Sequence, residues 1–417
     1  MKRENKYKKI GEYKYFNTCR FCGSKNVQMV IDLGLMPLAG GFIKNFKQKN
    51  QEKFYPLQLN FCHDCFLLQV NSSVTPDILF KDYFYFSSSI KTLADHFKKI
   101  AYELKSKIYP EKGFVVEIGC NDGSFINALL DNGFKALGID PARNVVRGAI
   151  KNKVPIINSY FTEKKAKDIV RKYGRANAIF GFHSMAHIEN MHDVIRGVKH
   201  LLKKGGFLAM EVHYLKNLIE ETQFDMIYHE HQFYYSYLSL TNFFKQYRME
   251  IFDIRQYEVR AGSIMFYVQN TKGGRKISDS VKKLIVEELD LGLNKIKTYI
   301  KFSKKITLRK RQLLNLLSKL KNKNKKIVGY GASGRGTIIA NYCGLQNYLE
   351  YVVDDAKSKH GAFLPGTHHE IFPSSKIIKD KADYAVLFAW PFLKEVRSKN
   401  QDFKGKFIVP LPKVKII

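Results

Sequence analysis

Phe114-Val115-Val116-Glu117-Ile118-Gly119-Cys120-Asn121-Asp122-Gly123 is the stretch that decides the fold. Its first five residues read as a buried strand, apolar except for one acid, and glycines at 119 and 123 mark a sharp turn into a helix. Outward from it the pattern recurs. Ala136–Asp140 reads as the next strand, and Ala178–Phe182 and Phe207–Val212 continue the series with helical segments between. Strands alternating with helices make an α/β domain on a largely parallel sheet.

In such a sheet the first strand-to-helix turn is where backbone meets a nucleotide-bearing ligand. The spacing here is GxNxG, not the GxGxxG of a pyrophosphate-binding turn. Asp140 ends the second strand 23 residues after Glu117, where a carboxylate can bond both hydroxyls of a ribose. A glycine turn with a second-strand acid fits S-adenosyl-L-methionine as the cofactor, and the missing third glycine counts against NAD. The sulfonium cofactor carries no phosphate and needs no phosphate cradle. The plainer alternative is a turn with a structural role only.

Three further motifs flank this core. Cys19-x-x-Cys22 and Cys62-x-x-Cys65 are two knuckles 39 residues apart, in an N-terminal segment with few long helical patterns. Paired CxxC turns aim four thiolates at one tetrahedral Zn2+, which replaces part of the missing core. Four thiolates close the coordination shell, so the zinc is expected to be structural. Tyr228-His229-Glu230-His231 is a dense group of titratable side chains; its histidines are two apart, which excludes the HExxH zinc pattern. A histidine oriented by a neighbouring carboxylate can act as a base near neutral pH, though a surface loop can carry the same residues. Gly329-Tyr330-Gly331-Ala332-Ser333-Gly334-Arg335-Gly336-Thr337 follows a strand and opens a helix. Its amides suit a phosphate, and Arg335 can pair with a pyrophosphate oxygen. A vestigial Rossmann unit that merely packs has the same pattern. Between them, the Lys-rich, Leu-periodic stretch from Asp279 to Lys323 reads as one or two amphipathic helices.

With 417 residues, 45% of them apolar, the chain holds two or three domains. Its 70 Lys and Arg against 38 Asp and Glu give a net charge of +32, which invites a nucleic-acid reading. The lysines are scattered, however, and the abundance of Lys, Asn, Ile, Phe and Tyr beside 11 Pro and one Trp matches an AT-rich genome. No apolar run reaches the ~18 residues of a membrane span, and MKRENKYKKI lacks the apolar core of a signal peptide. Six cysteines without an export signal suit a reducing compartment, so a cytoplasmic protein is expected.

Taken in order, these motifs resemble the nucleotide-sugar C-methyltransferases of deoxysugar biosynthesis over nearly the whole chain. Further matches are Asp32-Leu33-Gly34, Pro37-Leu38-Ala39, Tyr83-Phe84-Tyr85-Phe86-Ser87-Ser88, Gly138-Ile139-Asp140-Pro141-Ala142 and Ala186-His187-Ile188. Glu211-Val212-His213-Tyr214-Leu215, Phe224-Asp225, Lys359-His360-Gly361 and Pro365-Gly366-Thr367 complete them. The resemblance implies a zinc-binding domain over residues 1–80, a Rossmann-like S-adenosylmethionine methyltransferase core over 81–278 and a C-terminal Rossmann-like nucleotide-sugar-binding domain over 279–417. It implies methylation of a ring carbon, C-3′, of a nucleotide-linked 4-keto-6-deoxysugar through an enolate. His231 is then the general base, with Tyr228 and Glu230 orienting the sugar or stabilising the enolate. Glu117, Gly119, Asn121, Gly123, Asp140 and His187 fall on cofactor positions; Tyr83, Tyr85, Ser333, Arg335 and Lys359 fall on the substrate side. The implied partner is a nucleotide-linked keto-deoxysugar, with no nucleic acid or membrane, and the enzyme is expected to be a monomer.

Two departures from the family pattern, Phe182-His183-Ser184-Met185 where relatives tend to carry Asn and Met265 where they often carry Arg, bear on which sugar is taken. Rival readings are a nucleic-acid methyltransferase, a non-catalytic nucleotide-sugar-binding protein, and an NAD-dependent sugar oxidoreductase. The last is disfavoured by the GxNxG spacing at the first turn.

Overall fold

The apolar run at Phe114–Ile118 forms an interior strand of a seven-stranded sheet in the computed structural model, which describes residues 7–80, 86–105, 113–258 and 262–417. Across that sheet the strands are Met249–Tyr257, Ser263–Asn270, Leu202–His213, Ala176–Phe182, Phe114–Ile118, Lys135–Asp140 and Ile156–Asn158. The last five run parallel, and Ser263–Asn270 pairs antiparallel with both its neighbours. Phe114–Ile118 lies between the second and fourth strands in chain order, so the connections leave it toward opposite edges. A crevice opens at such a switch point, outside the carboxyl ends of the strands.

Glu163–Tyr173 shows how local sequence sets a helix beside this sheet. Thr162 caps its start by accepting Lys165 N–H at 3.1 Å, and Gly174 ends it at φ +84°, a conformation that costs glycine little.

The cysteine-rich segment forms a second sheet from Val27–Pro37, Phe54–Cys62 and Leu68–Val70. Its fourth strand is Phe233–Tyr234, which directly follows the Tyr228–His231 motif. The zinc-knuckle residues share one core with the central sheet: Cys19, Phe21, Cys62 and Cys65 pack with Phe233, Tyr235 and Phe243. The Phe21 and Phe243 rings stack at 3.9 Å.

The Lys-rich stretch is two helices, Asp279–Leu291 and Ile296–Lys321, broken at Gly292 with φ +73°. The second buries Tyr299, Phe302, Ile306, Leu313 and Leu317 in one core with Val30, Ile31 and Leu33. A six-stranded sheet follows, in the order Ile371–Pro373, Val352–Asp354, Ile327–Tyr330, Tyr384–Leu387, Lys406–Val409 and Lys415–Ile416. Its first five strands are parallel and the last is antiparallel. No described helix is long and apolar enough to cross a membrane.

Candidate active site

A cavity of about 340 Å³ fills the crevice at the switch point. Gly119, Asn121, Asp140, His183 and His187 line it. At Gly119 the chain turns with φ +74°, and a Cβ there would lie 2.3 Å from Ser184 Cβ. Only glycine passes so close. Asn121 follows at φ +51°, which asparagine tolerates better than most residues.

Each oxygen of Asp140 accepts one backbone N–H, Oδ2 from Asn121 and Oδ1 from Ala142, both at 2.9 Å. A carboxylate has about four lone-pair sites, so capacity remains for a vicinal diol. Burial raises the Asp140 pKa, while these two N–H groups oppose the rise. Asn121 Oδ1 and Asp122 Oδ2 accept the N–H groups of Ser87 and Ser88, which fastens the 87–88 segment beside the turn. These features fit the ribose and the phosphate-free linkage of S-adenosylmethionine.

Glu117 and Gly123, also assigned to the cofactor from sequence, are not on the cavity wall. Glu117 is buried behind the turn with Oε2 unpartnered among the described residues. Burial, with Asp140 and Asp122 nearby, lifts its carboxyl well above the usual range. Gly123 opens the helix Ser124–Asp131 at φ +79°.

Next to the cavity lies a network that the sequence reading did not assign. Glu211, fully buried in its strand, accepts Ser263 Oγ–H at 2.6 Å and lies 2.7 Å from His96 Nε2 and 3.4 Å from His183 Nε2. Burial alone would raise the Glu211 pKa, but His183 and His96 hold it below the usual carboxylate range. The available signal was a lone acid within an otherwise apolar strand, a group that must find buried partners.

The Tyr228–His231 motif sits immediately beyond. His231 Nδ1 lies 2.9 Å from the carbonyl of Met226, so Nδ1 carries the proton and Nε2 keeps its lone pair. Its ring packs on Tyr228 at 3.9 Å and meets His187 edge-on at 5.1 Å. Burial first, and His187 second, depress the His231 pKa well below that of a free histidine, so the ring is neutral at pH 7. Glu230 is 8% exposed, and its Oε2 has no partner among the described residues. Burial pushes its carboxyl up to about 7. The structure therefore brings His231 and Tyr228 up to the cavity-lining His187, with a partly protonated acid in the same loop, though Tyr228, Glu230 and His231 are not themselves on the cavity wall. Tyr83 and Tyr85 lie outside the described residues.

The C-terminal side chains assigned to the substrate are already engaged within the protein. Ser333 caps the helix Gly334–Cys343 by accepting Gly336 N–H at 3.2 Å. Arg335 makes a two-pronged pair with Asp225, Nε at 2.7 Å and Nη2 at 3.2 Å. Lys359 donates to Ala332 O at 2.7 Å and to Asp354 Oδ2 at 3.2 Å. The helix start also meets the N-terminal module, where Thr337 Oγ1–H donates to Ala39 O at 3.2 Å. Sequence had offered Arg335 to a ligand; its long-range acceptor, 110 residues away, was not legible there.

Away from this pocket, the sulfurs of Cys19, Cys22, Cys62 and Cys65 all lie within 4.8 Å of one another. Cys19–Cys65 and Cys22–Cys62 approach to 3.4 and 3.6 Å, close to the ~3.8 Å edge of a tetrahedron with ~2.3 Å Zn–S bonds. The donor set is all thiolate and closed. It fits structural zinc.

Comparison with known proteins agrees with this layout. Residues 19–80 match a zinc binding domain, 91–251 a methyltransferase domain and 258–412 a C-methyltransferase C-terminal domain. The chain is 30% identical over 404 residues to the C-methyltransferase NovU of Streptomyces niveus, which covers 96% of each protein. Among solved structures, magnesium protoporphyrin IX methyltransferase of Synechocystis with bound SAH overlays on 42% of this chain and 82% of its own, at TM-score 0.33 and 12% identity. The 1,6-didemethyltoxoflavin-N1-methyltransferase of Burkholderia thailandensis does so over 42% and 79%, at TM-score 0.33 and 11% identity. On the full-length likeness to NovU and the three regions matched in order, the chain belongs to the C-methyltransferase family, S-adenosylmethionine-dependent enzymes whose methyltransferase core is flanked by a zinc-binding module and a C-terminal domain.

Proposed function

We propose that this C-methyltransferase methylates a ring carbon, C-3′, of a nucleotide-linked 4-keto-6-deoxysugar, with His231 as the base that removes the C-3′ proton. The observation that carries the reading is the Nδ1 contact to Met226 O, which leaves a neutral imidazole with Nε2 free beside the cavity-lining His187.

A sugar C–H bond yields to such a base only when the electron pair can enter an adjacent carbonyl. His231 Nε2 takes the proton, the C-3′ pair moves into the C-4′ ketone, and the oxygen becomes an enolate. Gly119, Asn121 and Asp140 would hold S-adenosylmethionine, which when bound would supply an electrophilic methyl carbon to C-3′ while its sulfur kept the electron pair of the broken bond. His231 then returns its proton to solvent. Burial weakens the imidazole as a base in the resting site, but the enolate formed with its proton is a compensating anion. In this reading Glu230, near half-protonated at neutral pH, and Tyr228 serve as donors to the developing oxyanion. In its neutral form a buried carboxyl can donate where an ionised one cannot.

The test is direct. Purified protein is incubated with S-adenosylmethionine and TDP-, GDP- and CDP-linked 4-keto-6-deoxysugars, and products are weighed by mass spectrometry. One sugar gains one methyl group in place of a hydrogen. No gain with any keto sugar, alongside methylation of a nucleic acid, would overturn the proposal.

A further inference from the structure

The segment from Asp225 to Gln232 is held at both ends by arginines from the flanking regions. Arg20 lies between the zinc ligands Cys19 and Cys22 and is 1% exposed. It makes no carboxylate ion pair among the described residues. Instead Nη1 donates to Gln232 Oε1 at 2.8 Å, and Nη2 donates to Gln232 O at 2.8 Å and Val70 O at 2.9 Å. Its guanidinium lies over the Phe16 and Phe233 rings, at 4.8 and 4.3 Å. Gln232 passes the connection on: its N–H donates to Ala186 O at 2.7 Å, beside His187, and its Nε2 to His229 O at 2.6 Å.

At the other end, fully buried Asp225 accepts the Arg335 fork and, at 2.9 Å, the Trp390 indole N–H. The next residue, Met226, presents the carbonyl that holds His231 Nδ1. Desolvating two arginines costs several kcal/mol each unless their donors are met, and apolar residues would pack as stably. Planar forks, however, fix both distance and direction.

We propose that Arg20 and Arg335 are positioning residues that clamp the Asp225–Gln232 segment between the zinc knuckle and the C-terminal domain, so fixing the tautomer and aim of His231. The inference rests on the reading of His231 as the base. It gives the zinc module a part in the reaction beyond scaffolding: through Arg20 it sets where the catalytic loop lies.

Arg20→Lys, Arg335→Lys and Gln232→Leu test it, the first two keeping charge while removing the fork. Each is expected to lower kcat by about 10- to 100-fold, with KM for the keto sugar, S-adenosylmethionine affinity and zinc content near those of the parent. Arg20→Lys combined with Gln232→Leu should lose no more than the worse single change, because both cut one connection. Imidazole 15N shifts of the ligand-free protein supply a readout independent of turnover. The parent should show His231 as the Nδ1–H tautomer, and Arg335→Lys a tautomer mixture. Unchanged kcat with an unchanged His231 signal would overturn the clamp, as would strictly additive losses. Methyl transfer that survives His231→Gln would instead overturn the base assignment, so the two failures are distinguishable.

Discussion

Replacing Glu230 with glutamine should make the protein more stable at alkaline pH. The carboxyl is 8% exposed with Oε2 unpartnered among the described residues, and burial carries its pKa from 4.5 to about 7. At 1.36 kcal/mol per pKa unit, that gap is about 3 kcal/mol against the folded anion. The folded state binds the proton more tightly than the unfolded chain. Stability from this group is therefore complete below pH about 4.5 and is lost as pH rises through about 7. Glutamine keeps the shape and stays neutral. Urea unfolding of both proteins from pH 5 to 8.5 should show Glu230→Gln more stable by up to about 3 kcal/mol at the alkaline end, with the gap closing toward pH 5. The kcat profile of the parent should fall as pH rises through about 7, and this limb should be absent in the variant. A stability difference that does not change with pH, or a less stable variant at pH 8, would refute the reasoning.

Two other outcomes follow from the geometry. Gly119→Ala forces a Cβ to 2.3 Å from Ser184 Cβ at φ +74°, so it should weaken S-adenosylmethionine binding at least tenfold and lower stability by about 1–3 kcal/mol; calorimetric titration and thermal unfolding check both. Stripping the metal with a thiol reagent and chelator should release zinc and disorder the shared core of Phe21, Phe233 and Phe243, seen as lost near-UV circular dichroism; activity and spectrum unchanged after full zinc release would contradict a structural role.

Much of the central fold was legible because its signals are local. Apolar runs such as Phe114–Ile118 and Phe207–Val212 lie within the strands they announced, and two CxxC turns announced a cluster of four sulfurs. The Lys-rich stretch, read as one or two helices, is two, and only the fold places the break at Gly292. What sequence could not reach were pairings across long separations. His96 meets Glu211 115 residues on, Arg20 meets Gln232 212 residues on, and Arg335 meets Asp225 110 residues back. A motif names candidate groups, but buried charge is satisfied by whatever the tertiary fold brings near. Arg335 illustrates this: a guanidinium at a glycine-rich turn reads as an anion-binding group, and the fold supplies the anion from within.

The claim that carries the account is proton removal from C-3′ by His231, and it can be measured without the methyl donor. A 4-keto-6-deoxysugar nucleotide that the enzyme methylates is incubated with the protein in deuterated water, and the C-3′ proton signal is followed by NMR. The account predicts loss of that signal with the parent enzyme and a rate no faster than the uncatalysed background with His231→Ala, while both proteins bind S-adenosylmethionine alike. Exchange that continues unabated in His231→Ala would contradict it.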